Sequence, residues 1–137
     1  MKKPLSAWLS AAVVILMVSC ASSQKSNGSG EKDLYRSWRA TGFDTTGAMH
    51  SPTISFDQAQ NRVSGNGSCN RYSGGFTITA PDKIAFSPMA STKMACPGLN
   101  VESKYFELLN KANKWRIKDG VLTLSQDDTA LLTFVAE

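Results

Sequence analysis

The 137-residue sequence has one histidine, three cysteines and only 19% charged side chains. A single histidine, His50, leaves little material for a serine or cysteine nucleophile that needs an imidazole base and a group to orient it. Ser73 and Ser91 meet the same objection, and neither a GxSxG elbow nor a phosphate-cradling glycine loop is present. Zinc needs three or four thiolate or imidazole ligands at suitable spacing. His50 lies in a polar loop after Asp44, far in sequence from either later cysteine. The expectation is therefore a chain that is not an enzyme, with no metal and no cofactor. Clustered basic residues are lacking too: Lys and Arg are scattered, so the formal net charge of +4 gives no footprint for nucleic acid.

Only one long hydrophobic run is present, and it stands at the start. MKKPLSAWLSAAVVILMVSC joins a basic Lys2-Lys3 pair to an apolar stretch from Leu5 to Val18, which is the anatomy of an export signal and short for a membrane span. Met17-Val18-Ser19-Cys20 resembles a bacterial lipobox, although leucine is commoner than Met17 at its position. Residues 1–19 are thus expected to be a lipoprotein signal peptide and Cys20 the lipidated residue. Several acyl chains, including palmitate, would then fix the protein to a membrane, each buried methylene contributing about 0.8 kcal/mol. Residues 20–32 follow as a tether: ASSQKSNGSGEK has no hydrophobic residue after Ala21 and is rich in Ser, Gly and Asn. Ala21 is not the aspartate that retains lipoproteins in the inner membrane of enteric bacteria, which favours the outer membrane. Without Lys2 and Lys3, thirteen basic side chains face eleven acidic ones.

Residues 33–137 are the size of one domain with one core. Within it PTISF (52–56) alternates apolar and polar residues, as a half-buried strand does. FTITA (76–80) and KIAF (83–86) do the same around a Pro81-Asp82 turn and read as a hairpin. From Asn100 to Lys114 the period changes: Val101, Tyr105, Leu108, Leu109 and Ala112 draw an apolar stripe down a helix, with Asn100 as cap and Glu102 at the positive end of the dipole. WRIKDGVLTLS (115–125) holds two strands around Asp119-Gly120, and ALLTFVA (130–136) is a last strand. The fold class expected is α+β, a mostly antiparallel, strongly curved sheet or partly open barrel with one helix packed against it.

With Cys20 committed to lipid, Cys69 and Cys96 form an even pair in an oxidising compartment, and a disulfide is the expectation, with free buried cysteines as the alternative. The bridge would close a loop of about 27 residues, roughly 3.5 kcal/mol by loop entropy.

The order SGNGSCNRYSGGF, IAFSPMASTKMACP, a helix, then W-x-I-x-DGVLTLS and LLTF resembles the META/HslJ family of small bacterial envelope proteins, with CNRYSG (69–74) and STKMACP (91–97) the most specific parts. Ser68 stands where that family often has glycine, and RATGFDTTGAMHSP after Trp38 is more polar than the usual family start. The resemblance implies a compact β-rich domain with a long helix, found in lipoproteins and heat-shock proteins, with no established enzymatic activity and links to stress tolerance, drug resistance and secretion.

Gly65, Gly67, Gly74 and Gly75 around the motif read as suppliers of bulges and positive backbone angles. Asn70, Arg71 and Tyr72 admit two readings. In one, Asn70 holds a left-handed turn, Tyr72 packs inward and Arg71 is solvated. In the other, the three form an interaction surface on a disulfide-braced loop, because Arg and Tyr favour protein interfaces. The functional expectation is a non-enzymatic envelope lipoprotein, a monomeric domain that acts by contact with an envelope protein. The alternative is a carrier of a small hydrophobic ligand in a tunnel lined by Ile54, Phe76, Ile78 and Phe86.

Overall fold

The computed structural model describes residues 30–79 and 81–137. The expected signal peptide, Cys20 and most of the expected tether lie outside the described residues. Glu31 and Lys32, assigned to the tether by composition, belong to a 3-10 turn, Glu31–Leu34, whose Leu34 is buried. No helix among the described residues is long and apolar enough to cross a membrane.

Nine strands form one antiparallel sheet: β1 Ser37–Thr41, β2 Thr53–Asp57, β3 Arg62–Asn66, β4 Arg71–Thr79, β5 Lys83–Phe86, β6 Ala90–Ser91, β7 Lys114–Lys118, β8 Val121–Gln126 and β9 Thr129–Ala136. Their order is β3-β2-β1-β9-β8-β7-β5-β4-β6, and β3 also pairs with β4. That pairing closes eight strands into a ring and leaves β6 beside the start of β4, where Tyr72 faces Ser91. Closure removes the free edges of an open sheet. The narrowest seam is β5–β7, with one register pair, Lys83 and Lys114, flanked by the Ile84 N–H donating to the Asn113 carbonyl and the Trp115 N–H donating to that of Asp82.

Alternation builds the interior. Trp38 and Ala40, Ile54 and Phe56, Val63, Tyr72 and Phe76, Ile84, Trp115 and Ile117, Leu122 and Leu124, and Leu132 and Phe134 are the inward residues of successive strands. Each strand's next residue faces outward, the period-two pattern of a sheet with one buried face. The two hairpins foreseen are present: Phe76 pairs with Phe86 and Ile78 with Ile84, while Asp119 and Gly120 both take positive φ between β7 and β8. Strands β1, β3 and β6, and the first half of β4, carry too few apolar residues to announce themselves.

The helix α1 spans Leu99–Lys111, three residues shorter at its end than the stripe suggested. Asn100 is not its cap: Gly98, at φ 84°, holds that place without a side-chain hydrogen bond, and Asn100 is inside the first turn. Tyr105 lies edge-on to Phe134 of β9 and near Tyr72 of β4, with ring centroids at 6.5 and 5.9 Å. Those strands stand on opposite sides of the ring, so α1 lies across one mouth of the barrel and its Val101, Tyr105 and Leu109 complete the core.

The interior is filled by these side chains, which corrects the expectation of a tunnel. Ile54 is fully buried, Phe76 packs edge-on against Phe56 at 5.2 Å between centroids, and Ile78 and Phe86 pack against the same cluster. A lipid tail would have to displace this packing, at a cost of several kcal/mol for each large side chain moved.

Candidate functional site

The stretch between β3 and β4 is a tight loop under the first turn of α1. The Asn66 carboxamide oxygen accepts the Ser68 N–H at 2.8 Å, and the Gly67 N–H donates to the Asn70 carbonyl at 2.9 Å. These local bonds turn the chain within four residues. The residue with positive φ in the turn is Ser68, at 113°, and not Asn70. An L side chain is strained there, and the buried Ser68 hydroxyl has no hydrogen-bond partner among the described residues.

The neighbouring glycines act by close approach, not by positive φ. A Cβ on Gly65 would stand 2.0 Å from the Thr53 carbonyl oxygen, and one on Gly67 would stand 2.9 Å from Glu102 Cγ and 3.0 Å from Phe106 Cζ. Gly65 lets the Tyr72 ring cross it, since the two face each other in register. Gly67 lets the helix settle onto the loop. Gly74 and Gly75 likewise lie outside the positive-φ glycines, which are Gly42, Gly47, Gly98 and Gly120.

Asn70 is the centre of the site, 2% exposed. Its side-chain oxygen accepts from the Thr92 hydroxyl and the Met94 N–H, both at 2.7 Å. Its amide nitrogen donates to the Met94 carbonyl at 3.2 Å and to Glu102 Oε1 at 2.8 Å. All four hydrogen-bonding positions of the carboxamide are thus used. Glu102, 7% exposed, accepts the Asn70 N–H at 2.6 Å and the Cys69 N–H at 3.3 Å through Oε2. A buried carboxyl group is costly unless hydrogen-bonded, and here three N–H donors, at the N-terminal turn of the helix, satisfy its oxygens.

The Cys69–Cys96 disulfide, with Cα atoms 6.0 Å apart, joins the same two segments covalently. The loop 67–70 and the segment 92–96 are therefore tied together by a covalent bridge and by the Asn70 side chain.

Below this network the Tyr72 and Tyr105 hydroxyls meet at 2.7 Å, and Tyr72 also donates to the Thr53 carbonyl at 2.9 Å. Burial pushes both phenols above their ordinary range, and the neighbouring Tyr105 adds to the effect on Tyr72. Both are neutral structural groups at physiological pH.

Of the three residues expected to form an interaction surface, the structure presents one. Asn70 and Tyr72 are buried for the reasons just given; Arg71 alternates outward between them, exposed and without an ion pair among the described residues. It borders a shallow groove with Tyr72, Ser73, Ala90, Ser91 and Thr92. Ser73 accepts a hydrogen bond from Arg62 at 3.0 Å. His50 is exposed and lines a cleft beside the disulfide. Glu102 is the residue that sequence reasoning missed. A usable signal existed: three residues before Tyr105 and seven before Leu109, it falls on the buried stripe of the helix and not on a solvated face.

The model of the META domain matches residues 32–137. The chain belongs to the META domain family. No curated protein matches it. Among solved structures, it is similar to a protein from Burkholderia xenovorans determined by NMR, at 24% identity and a TM-score of 0.59, over 75% of this chain and 82% of that one. A DUF4847 family protein from Bacteroides vulgatus is similar at 13% identity and a TM-score of 0.54, over 76% of this chain and 94% of that one. At these identities the likeness concerns the META fold alone.

Proposed function

We propose that this META protein is a non-enzymatic lipoprotein of the bacterial cell envelope, held at the outer membrane through acylated Cys20, which acts by contact with another envelope protein in stress tolerance or secretion. Arg71 is the contact residue. The observation that carries the reading is the contrast between Arg71 and its neighbours: an exposed guanidinium, without an ion pair among the described residues, stands on backbone fixed on both sides by the buried Asn70 and Tyr72 and braced by the disulfide. A side chain on so rigid a base loses little further freedom on binding, and Arg is enriched at the energetic centres of interfaces. The adjoining shallow groove past Ala90 and Ser91 extends the surface around the charge, so the partner surface is acidic where it meets Arg71.

The test is a crosslinking pull-down from envelope extracts with the acylated native protein beside its Arg71→Ala variant, with thermal unfolding of both. The expected result is a stoichiometric partner retained by the native protein and lost by a variant of unchanged melting temperature. Equal capture by both proteins contradicts the assignment of Arg71, and capture by neither contradicts the contact role.

A further inference from the structure

The cleft beside the disulfide is lined by Met49, His50 and Met94, with Asn66, Ser68, Cys69, Ala95, Cys96 and Pro97 completing its walls. Met49 and Met94 are 54% and 56% exposed, two of the three large apolar side chains that the described residues leave open to water. Two methionines and one histidine from two separate segments of chain thus line the same solvent-open cleft. Both segments are anchored. The Met94 backbone is bonded on both sides by Asn70, and the loop carrying Met49 and His50 is backed by Gly98, where an added Cβ would stand 2.6 Å from the Gly47 carbonyl oxygen.

Thioether sulfur is a soft donor that discriminates for monovalent copper over zinc, calcium or magnesium, and imidazole is compatible with it. No group of three His, Cys, Asp or Glu side chains converges among the described residues, so the hard and borderline cations lack a comparable set there. Methionine has three rotatable bonds and adapts its sulfur position to a ligand, so an anchored backbone and mobile thioethers suit capture of a soft ion. The nearby cysteines, joined in the disulfide, offer no thiolate to compete.

We infer that Met49, His50 and Met94 form a binding site for a soft monovalent cation of the Cu(I) type. The site goes beyond the contact role of Arg71 and is tested without any partner. Ag(I) serves as the redox-inert soft cation, titrated into the full chain in detergent micelles. That chain carries Cys20→Ser, which removes the one thiol outside the disulfide, and the methionine methyl groups are labelled for NMR. The expected result is saturation at one equivalent, with shifts of the Met49 and Met94 methyls and the His50 ring. Met89, Met1 and Met17 stay in place, and Zn(II) produces none of these shifts. Met94→Leu and His50→Gln, both surface changes, each weaken Ag(I) binding tenfold or more at unchanged melting temperature. Absence of shifts at Met49 and Met94, equal shifts at all five methionines, an equal response to Zn(II), or unaltered affinity in both variants each overturns the assignment.

Discussion

On the β7–β8–β9 side of the barrel, Trp115, Ile117, Leu122, Leu124, Leu132 and Phe134 are buried by simple alternation. The mouth under α1 is built differently: Asn70, Glu102, Ser68 and the Tyr72–Tyr105 hydroxyl pair are buried there, and a disulfide crosses it. The first region is held by removal of apolar surface from water, which is non-directional and tolerant of exchange among similar side chains. The second depends on every donor finding its acceptor, and one missing partner strands several groups at once. The comparison teaches where a rigidly held surface position comes from in so small a domain: the exposed Arg71 lies between the buried Asn70 and Tyr72 of the polar mouth, not on the apolar wall.

The comparison breaks most visibly at Glu102. Glu102→Ala leaves the Cys69 and Asn70 N–H groups and the Asn70 side-chain amide without their acceptor, and each buried unpaired donor costs about 1–3 kcal/mol. The expected loss is roughly 3–5 kcal/mol in urea unfolding, of the same order as Leu124→Ala on the apolar wall, where a Leu→Ala cavity costs about 2–5 kcal/mol. A loss below about 1 kcal/mol for Glu102→Ala would show that the polar network carries no stability.

A second prediction sharpens the difference through pH. Tyr72 and Tyr105 keep their protons in the folded state at pH values where the unfolded chain, with phenols near 10.0, releases them. The folded state then binds more protons than the unfolded one, so stability is fully present below about pH 10 and falls as pH rises beyond it. Unfolding midpoints measured between pH 8 and 11 are expected to decline at the alkaline end, and less so in Tyr72→Phe. That variant starts about 1 kcal/mol less stable at neutral pH from the lost hydrogen bonds.

The smallest effect has the opposite sign. Ser68→Gly relieves a strained positive φ, for which about 1–3 kcal/mol is typical, and removes an unpartnered hydroxyl, against about 0.5–1 kcal/mol of added chain entropy. A net gain of about 1 kcal/mol is expected in the melting curve, and a loss would mean that the Ser68 hydroxyl is satisfied in solution.

The same contrast explains what the sequence made legible. The hairpins β4–β5 and β7–β8, strand β9 and the helix carry apolar residues at period two or near 3.6, and these were readable. Strand β3 has one inward apolar residue, Val63, followed by Gly65, whose side-chain space is taken by the Thr53 carbonyl and the Tyr72 hydroxyl. A strand whose buried face is supplied by another strand's side chain has no period of its own. The Cys69–Cys96 pairing was accessible to counting, since only two cysteines remained after Cys20. The Thr92, Met94 and Glu102 partners of the Asn70 side chain are 22 to 32 residues away in sequence, and no local pattern connects them. Glu102 read as a dipole partner because its charge suggested water, although its place on the helical stripe argued for burial.

The claim that the mouth is a polar unit, separable from the apolar wall, is tested most directly by native-state amide hydrogen exchange on the wild type, Glu102→Ala and Leu124→Ala. In Glu102→Ala the Cys69, Asn70 and Met94 amides are expected to lose protection out of proportion to those of β8 and β9, while Leu124→Ala lowers protection throughout the sheet. The same uniform loss in both variants would contradict the account, because the mouth would then be one cooperative body with the wall and its rigidity would not depend on Glu102.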